Sequence, residues 1–325
     1  MNIAIIGCGF IGRKRAAALD GHKLTVCCDI NLQAAQALAK EHPEAEAISD
    51  WQEAVLRPGI SLVVVATTHD LLAPVAQAAA QAGKHVLIEK PGARRAAELD
   101  AVAAAASEKG VTVRVGFNHR YHPALRKAHE MIRAGSLGDL MFVRGRYGHG
   151  GRAGYDKEWR AKPEISGGGE LIDQGLHLID LSRWLLGEEF TRVQGAVTTS
   201  FWDMPVEDNG FLILETATKR VAFLHASWTE WKNTFSLEIY GKKAKLEING
   251  LGGSYGPERL TRWENILGKA STPEVWEFPG PDQSWQLEFA AFLADIDAGR
   301  PSKPGIEDAQ RALEVIEQVY ERKDL

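Results

Sequence analysis

Three residues able to hold or move a proton stand where the neighbouring sequence suggests a ligand site. Lys90 follows the apolar run 85–88 and Glu89. At the carboxyl end of a strand in an open α/β sheet, a lysine can donate to a substrate oxygen. Asp173 and His177 lie four positions apart in a stretch predicted to be one helix over residues 170–186. On an α-helix they share one face, so the carboxylate orients the imidazole and makes it a stronger base towards a hydroxyl.

Plainer interpretations exist for the same residues. Lys90 alone could be a surface lysine after a strand, and His177 a hydrogen-bonded core histidine on an amphipathic helix. Asp173 and His177 could also bind zinc, but the spacing shows no third ligand, and His119, His122 and His149 form no recognisable ligand pattern. We therefore expect no metal site.

A glycine motif near the start of the chain indicates a second site. Gly7-Cys8-Gly9-Phe10-Ile11-Gly12 matches G-x-G-x-x-G after a strand-like run and before a helical one. Gly7 permits a tight turn, Gly9 lets the backbone approach a pyrophosphate, and Gly12 lets helix and strand pack closely. The helix N-terminus then offers unpaired N–H groups to the phosphates.

Asp29 ends the second strand-like run at about the spacing expected for the acid that binds the adenosine ribose. A carboxylate there accepts hydrogen bonds from ribose hydroxyls and repels a 2′-phosphate. The sequence therefore predicts NAD, with NADP disfavoured.

The elements that must position these residues change character along the chain. Up to residue 117, apolar strand-like runs alternate with helical stretches, which predicts a parallel sheet covered on both faces. Residues 148–169 form a long Gly-rich loop, predicted to be functional. Alternating strands with short turns then predict an antiparallel sheet, and helices over 285–297 and 306–322 close the chain. The fold class is α/β, with domains at residues 1–118 and 119–325.

Composition excludes several classes of protein. The 325 residues are 45% hydrophobic and 25% charged with a net charge of -5, which argues against general nucleic-acid or anionic-membrane binding. No apolar run has the roughly 20 residues needed to span a bilayer, and no signal peptide is recognisable. The three cysteines, Cys8, Cys27 and Cys28, predict buried thiols. We expect a cytoplasmic protein.

The combination of motifs resembles the glucose-fructose oxidoreductase / inositol dehydrogenase / rhizopine catabolism (Gfo/Idh/MocA) family. The resemblance covers nearly the whole chain and rests on the glycine motif and four further segments: Ala66-Thr67-Thr68-His69, Gly83-Lys84-His85-Val86, Glu89-Lys90-Pro91 and residues 167–180. It implies a Rossmann domain followed by an α/β domain whose open, mostly antiparallel sheet mediates homodimers or homotetramers.

The resemblance also implies roles for particular residues. Lys90 would contact nicotinamide and the substrate hydroxyl, and His177 would accept the hydroxyl proton with support from Asp173. The Lys90–Pro91 peptide would be cis. Together, motif and resemblance give as cofactor contacts Gly7, Gly9, Phe10, Ile11, Gly12, Asp29, Thr67, Thr68, His69, Glu89, Lys90 and Pro91. The substrate contacts are Lys90, Arg120, Trp159, Arg160, Asp173 and His177.

The resulting prediction is an NAD-dependent oxidoreductase that moves a hydride to or from a hydroxyl-bearing carbon of a sugar, a sugar derivative or a cyclitol. The sugar derivatives include phosphorylated and nucleotide-linked ones. A redox-neutral, NAD-dependent glycosidase that oxidises a ring hydroxyl transiently is an alternative. A non-catalytic dinucleotide sensor is disfavoured, because it does not need the Lys–Asp–His set. Arg146, Arg152 and Arg160 could meet a phosphate or a carboxylate, or form a solvated rim.

Overall fold

The computed structural model describes residues 1–321. Contacts divide the chain into two compact units. The first contains Met1–Phe117, Glu164–Gly167 and Trp285–Arg311. The second contains Asn118–Pro163, Gly168–Ser284 and the described residues from Ala312 onward. The chain first passes from the first unit to the second between residues 117 and 118, next to the predicted boundary at residue 118. It returns to the first unit twice, so the two units are not two consecutive segments of the chain.

The first unit contains six strands and five helices that precede residue 118. The strands are β1 (Asn2–Ile6), β2 (Lys23–Cys28), β3 (Glu46–Ile48), β4 (Leu62–Val65), β5 (His85–Glu89) and β6 (Val113–Gly116). The helices are α1 (Phe10–Ala17), α2 (Leu32–Ala39), α3 (Trp51–Leu56), α4 (His69–Gln81) and α5 (Asp100–Lys109). A 3-10 turn at Ala96–Leu99 replaces the first turn of the helix predicted over 94–109.

The six strands form one sheet in the order β3-β2-β1-β4-β5-β6, and every neighbouring pair is parallel. The central strands are fully buried because helices cover both faces, which explains their continuous apolar sequences. The predicted parallel α/β domain is confirmed. All three cysteines are free and buried in it, also as predicted.

A late helix completes the core of the first unit. Helix α9 (Ser284–Asp297) places Phe289 and Phe292 in the same apolar cluster as Ile3, Val64 and Leu87. This burial explains why residues 285–311 return to the first unit although they follow the second in sequence.

The second unit is built on eight strands. They are β7 (Leu140–Gly148), β8 (Phe190–Thr198), β9 (Asn209–Thr216), β10 (Val221–Ser227), β11 (Thr234–Gly241), β12 (Ala244–Asn249), β13 (Glu258–Glu264) and β14 (Glu274–Phe278). Its helices are α6 (Pro123–Arg133) and α8 (Leu176–Leu186), while the short helix α7 (Pro163–Ser166) has only its first residue in this unit. Helix α10 (Ile306–Glu321) begins in the first unit and ends in the second, and its predicted last residue, Arg322, lies outside the described residues.

The strand order in this sheet is β14-β13-β12-β11-β7-β10-β9-β8. Neighbours are antiparallel except β7 and β10, so the predicted mostly antiparallel sheet is confirmed. Helix α8 packs on the sheet, where the absence of a side chain at Gly145 admits Leu178.

The predicted loop over residues 148–169 is only partly irregular. It contains 3-10 turns at Tyr155–Lys157 and Trp159–Ala161, followed by α7. The buried Tyr155 packs edge-on against Trp228 with ring centroids 4.9 Å apart, so this segment is anchored by its own aromatic contacts. None of the helices within residues 1–321 has the length and apolar character to cross a membrane.

Candidate functional site

Two of the three motif glycines are required by backbone packing in the first unit. Gly7 has φ +96, and a Cβ there would lie 2.3 Å from the carbonyl oxygen of Ala66. A Cβ on Gly12 would lie 1.9 Å from the carbonyl oxygen of Gly7. Any side chain at either position would collide with backbone, so the tight turn and the close approach of α1 to β1 both depend on glycine.

Gly9 differs because the space beside it is open. Apart from its two chain neighbours, no atom of residues 1–321 lies within 4 Å of the position of its Cβ, and its backbone is extended, with φ -73. It caps α1, whose first turn carries no acidic residue and whose first side chain, Phe10, is 72% exposed. Free N–H groups at the start of a helix without acidic residues in its first turn suit a pyrophosphate, and the residues present therefore fit a dinucleotide.

The carboxylate of Asp29 is held against the glycine motif by two backbone bonds. Its Oδ2 accepts from the N–H of Cys8 at 2.8 Å, and its Oδ1 accepts from the N–H of Asn31 at 2.8 Å. The side chain remains partly exposed. The two donors fix its orientation and leave lone pairs for further donors, which suits a ribose diol.

Hydrogen bonds hold the segment that follows β4. Thr67 follows the strand closely, and the Thr68 hydroxyl donates to Asp70 at 2.6 Å at the start of α4. His69 is buried, and its Nδ1 bonds the carbonyl oxygen of Ser166 at 2.8 Å. His69 therefore anchors residues 164–167 within the first unit. A direct role of these residues towards the cofactor stays a prediction.

Glu89 ends β5 in a buried ionic cluster. The guanidinium of Arg15 bonds Glu89 at 2.5 Å and Glu288 at 2.6 Å, and it lies over the ring of Trp285 at 4.5 Å. The next residue is the partly buried Lys90, joined to Pro91 by a cis peptide, as predicted. The carboxylate of Glu89 is thus engaged by the protein, and its expected place beside the cofactor stays a prediction.

In the second unit, the prediction of one continuous α-helix over residues 170–186 is wrong for the first turn. Leu171–Gly175 is a π-helical turn, and α8 begins only at Leu176. A π-helical turn closes its backbone hydrogen bonds between residues five apart, so Asp173 does not lie on a regular α-helix. The predicted pairing of Asp173 with His177 stays a prediction. Both side chains are buried.

Asp173 is paired with a residue of the preceding loop. Arg160 Nε donates to Asp173 Oδ2 at 3.3 Å, and the guanidinium of Arg160 lies over the ring of Trp159 at 4.5 Å. Burial acts to lower the pKa of Arg160, but the charge of Asp173 and its neighbours outweighs burial and raises it. The structure therefore brings together three predicted site residues, Asp173, Arg160 and Trp159.

His177 is paired with a residue that the sequence did not single out as part of this site. Its ring stacks on that of His119, with centroids 3.7 Å apart and planes at 18°. Both histidines are buried. The two are far apart in sequence and share no motif, so no local signal relates them.

Arg120 forms a buried ion pair inside the second unit. Its Nε and Nη2 bond the two carboxylate oxygens of Asp180 at 2.9 and 2.5 Å. The pair fixes the 3-10 turn Asn118–Tyr121, which carries His119, to helix α8. A contact of Arg120 with substrate stays a prediction. Among residues 1–321, no group of three His, Cys, Asp or Glu side chains is arranged to hold a metal ion.

Comparison with known proteins assigns both parts of the chain. Residues 1–117 match the model for the oxidoreductase family with an NAD-binding Rossmann fold, and residues 125–247 match that for the GFO/IDH/MocA C-terminal domain. Levoglucosan dehydrogenase of Pseudarthrobacter phenanthrenivorans is 33% identical over 223 residues, which are 65% of this chain and 57% of that protein.

Two further comparisons cover more of the chain. The scyllo-inositol 2-dehydrogenase (NADP(+)) IolW of Bacillus subtilis is 31% identical over 269 residues, 81% of this chain and 68% of that protein. The structure of levoglucosan dehydrogenase in complex with NADH and levoglucosan superimposes with a TM-score of 0.89 and 24% identity, covering 100% of this chain and 98% of that one. At that identity the superposition establishes the fold.

Proposed function

Since the chain belongs to the Gfo/Idh/MocA family of NAD-binding oxidoreductases, we propose that it transfers a hydride between nicotinamide and a hydroxyl-bearing carbon of a sugar, a sugar derivative or a cyclitol. The family predicted from the sequence is confirmed, and with it the enzyme class, an NAD(P)-dependent dehydrogenase. The observation that supports the substrate class best is the burial of Asp173 and His177 in a chain whose relatives are named for a sugar and an inositol.

Lys90, His177 and Asp173 carry the proposed roles. When bound, NAD⁺ supplies the acceptor for the hydride. The ammonium of Lys90, at the carboxyl end of β5, donates to the substrate oxygen and stabilises the negative charge that develops there. His177 accepts the hydroxyl proton at Nε2, because Nδ1 is buried away from solvent. We propose that the charge of Asp173, in the turn before α8, stabilises the positive charge that His177 gains.

We propose that Asp29 sets the preference for NAD over NADP. The relative IolW is named for NADP(+), so the family as a whole does not fix the preference. In this chain the carboxylate is oriented by the N–H groups of Cys8 and Asn31. A 2′-phosphate there would meet like charge.

The charge balance of the loop favours an uncharged substrate. Arg152 pairs with Glu158 at 2.7 Å, and Arg160 pairs with Asp173. Because carboxylates of the same unit already neutralise these arginines, we propose a neutral sugar or cyclitol ahead of a phosphorylated or nucleotide-linked one. Trp159 and Arg160 are the proposed substrate-side residues of this loop.

We further propose a homodimer or homotetramer that forms through the exposed face of the second sheet. Phe211 and Ile213 on β9 and Phe223 on β10 are 39%, 47% and 48% exposed. The strand register pairs Phe223 with Ile213 and His225 with Phe211, so these side chains form one apolar patch. Such a patch typically marks an interface. Light scattering on the wild type and on Phe223→Glu tests this, and the variant should dissociate. The cytoplasmic location stays a prediction.

The experiment that tests the proposed activity is NADH formation from NAD⁺ over a panel of levoglucosan, inositols, free aldoses, uronic acids, sugar phosphates and nucleotide sugars. We expect a neutral compound to be oxidised and Lys90→Ala and His177→Ala to lose at least about a thousandfold in kcat. NAD binding, followed by fluorescence, should persist in both variants. Turnover at wild-type rates in either variant would refute the assigned roles.

A further inference from the structure

The imidazole of His119 is held at both nitrogens. Its Nδ1 lies 3.1 Å from the side-chain oxygen of Asn118, and its Nε2 lies 3.1 Å from the hydroxyl of Tyr147. The amide nitrogen of Asn118 donates to the Ser284 hydroxyl at 2.8 Å, which leaves the Asn118 oxygen to face the histidine as an acceptor. Nδ1 of His119 must therefore be the nitrogen that carries hydrogen.

Further hydrogen bonds link Tyr147 through Tyr255 to Gln174. Gln174 Nε2 donates to the hydroxyl of Tyr255 at 3.0 Å, and the hydroxyls of Tyr255 and Tyr147 are hydrogen-bonded to each other. An amide nitrogen only donates. With hydrogen on Nδ1, the Nε2 of a neutral His119 accepts from the Tyr147 hydroxyl. The one hydrogen of Tyr147 is then used, so Tyr147 accepts from Tyr255. Gln174 belongs to the π-helical turn, next to Asp173.

We infer that His119 is a positioning residue for His177: the chain Gln174–Tyr255–Tyr147 fixes His119 as the neutral Nδ1–H tautomer, and its ring holds the imidazole of His177 by stacking. The inference rests on the proposed function, in which His177 accepts the substrate proton. A neutral ring at 3.7 Å can support an imidazolium, whereas a charged one would oppose its formation. These hydrogen bonds therefore keep His119 from competing with His177 for the substrate proton.

The other groups around His119 fit this assignment. His122 meets its ring edge-on at 5.6 Å and is itself paired with Glu258 at 3.1 Å. Phe235 closes another side. Glu170 and Asp173 face Tyr147, and burial together with these charges raises the pKa of Tyr147, so its hydroxyl keeps its proton as a donor. On the far face lies His177.

The direct test is long-range ¹H–¹⁵N NMR of the full-length protein labelled in its histidine rings, with His119 assigned by comparison with His119→Asn. We expect the neutral Nδ1–H pattern throughout about pH 5.5–8.5, although a free histidine titrates near pH 6.5. In Tyr147→Phe, which removes only the hydroxyl, His119 should become protonated as the pH falls. An Nε2–H tautomer, or a charged ring in the wild type at pH 7, would overturn the inference.

Kinetics with the substrate found in the panel test the action on His177. His119→Ala should lower kcat about tenfold and leave KM within about twofold, because only the orientation of the base is lost. His119→Phe restores a neutral stacking ring and should recover at least about a third of the wild-type kcat. His129, which stacks on Trp184 at 4.1 Å in the same unit, provides a matched control: His129→Ala should keep kcat. Equal loss in His119→Phe and His119→Ala would contradict positioning by stacking.

The pH dependence separates positioning from simple stability. Tyr147→Phe should match the wild-type kcat within about twofold at pH 8.5 and fall below it under about pH 6.5, as His119 gains charge. A purely structural role would lower kcat equally at all pH values and would refute the inference. If the wild type oxidises no compound of the panel, the proposed function fails, whereas the NMR result still decides the tautomer.

Discussion

Arg15 Nε donates to the carboxylate of Glu89 at 2.5 Å, and this bond joins the dinucleotide-binding helix α1 to the residue that precedes Lys90. The same guanidinium bonds Glu288 of α9. All three side chains are buried. Arg15→Met would leave two buried carboxylates without their cation, and we expect the free energy of unfolding to fall by about 3–5 kcal/mol in urea denaturation.

Arg13 in the same helix is the matched control. It pairs with Glu41 at 2.5 Å, but the two side chains are 39% and 58% exposed. Water and salt screen such a pair, so Arg13→Met should cost less than about 1 kcal/mol. Similar losses for the two variants would contradict the assignment of the buried cluster.

Substitution of Gly9 by alanine should affect NAD binding, whereas substitution of Gly12 by alanine should affect folding. Gly9→Ala places a methyl group in open space, so the melting temperature should stay within about 2 °C, while the Kd for NAD should rise at least about tenfold because that space receives the pyrophosphate. Gly12→Ala collides with the carbonyl oxygen of Gly7 and should impair folding. Calorimetry and fluorescence titration measure both effects. Unchanged NAD affinity in Gly9→Ala would argue against the proposed phosphate position.

Asp29→Ala should change cofactor preference. Removal of the carboxylate takes away the ribose acceptor and the charge that opposes a 2′-phosphate, so the ratio of kcat/KM for NADP to that for NAD should rise at least about tenfold. Asp50→Ala is the control, since Asp50 caps α3 by accepting from Gln52 and Glu53. It should cost about 1 kcal/mol of stability without changing the preference. Steady-state kinetics with both cofactors would contradict the role of Asp29 if the ratio did not move.

Because of Asp208, we expect the folded protein to lose stability in acid. Burial acts to raise its pKa, but the backbone N–H groups of Ser200, Phe201 and Trp202 donate to it and lower the pKa below the ordinary value. The folded state therefore binds the proton more weakly than the unfolded chain, whose pKa is about 3.9. Its stabilisation is present above that pH and is lost as the pH falls through the lower, folded value.

The corresponding variant is Asp208→Asn. It should cost about 1.5–3 kcal/mol at pH 7, and the difference from wild type should shrink below about pH 4. Urea denaturation from pH 7 down to about pH 2.5 measures this. A difference that stayed constant over this range would show that the charge of Asp208 contributes nothing.

Much of the first unit follows from the sequence because its signals are local. The strands are continuous apolar runs, and the capping aspartate Asp50 precedes its helix directly. The motif glycines can also be recognised from the sequence. A Cβ on Gly12 would collide with Gly7, five residues earlier, and a Cβ on Gly7 would collide with Ala66, which follows the neighbouring strand β4. The same applies to Asp29, which follows β2 and turns back to Cys8.

Less of the second unit can be predicted from the sequence, because the contacts that position its candidate site residues join segments far apart in the chain. The π-helical turn leaves the apolar pattern of residues 170–186 intact, so periodicity cannot show it. Strands β13 and β14, at and next to the sheet edge, carry charged residues that mask their alternation, and were not predicted. The pairs Arg120–Asp180 and His119–His177 depend on tertiary packing alone.

The most direct test of the proposed activity is mass spectrometry of the NADH formed from NAD⁺ and perdeuterated levoglucosan or inositol. Transfer from the carbon that bears the hydroxyl predicts NADH heavier by one deuterium, and loss of this product in Lys90→Ala and His177→Ala. NADH without deuterium, or bound NAD with no transfer from any neutral or charged sugar of the panel, would contradict the assignment as a sugar or cyclitol dehydrogenase.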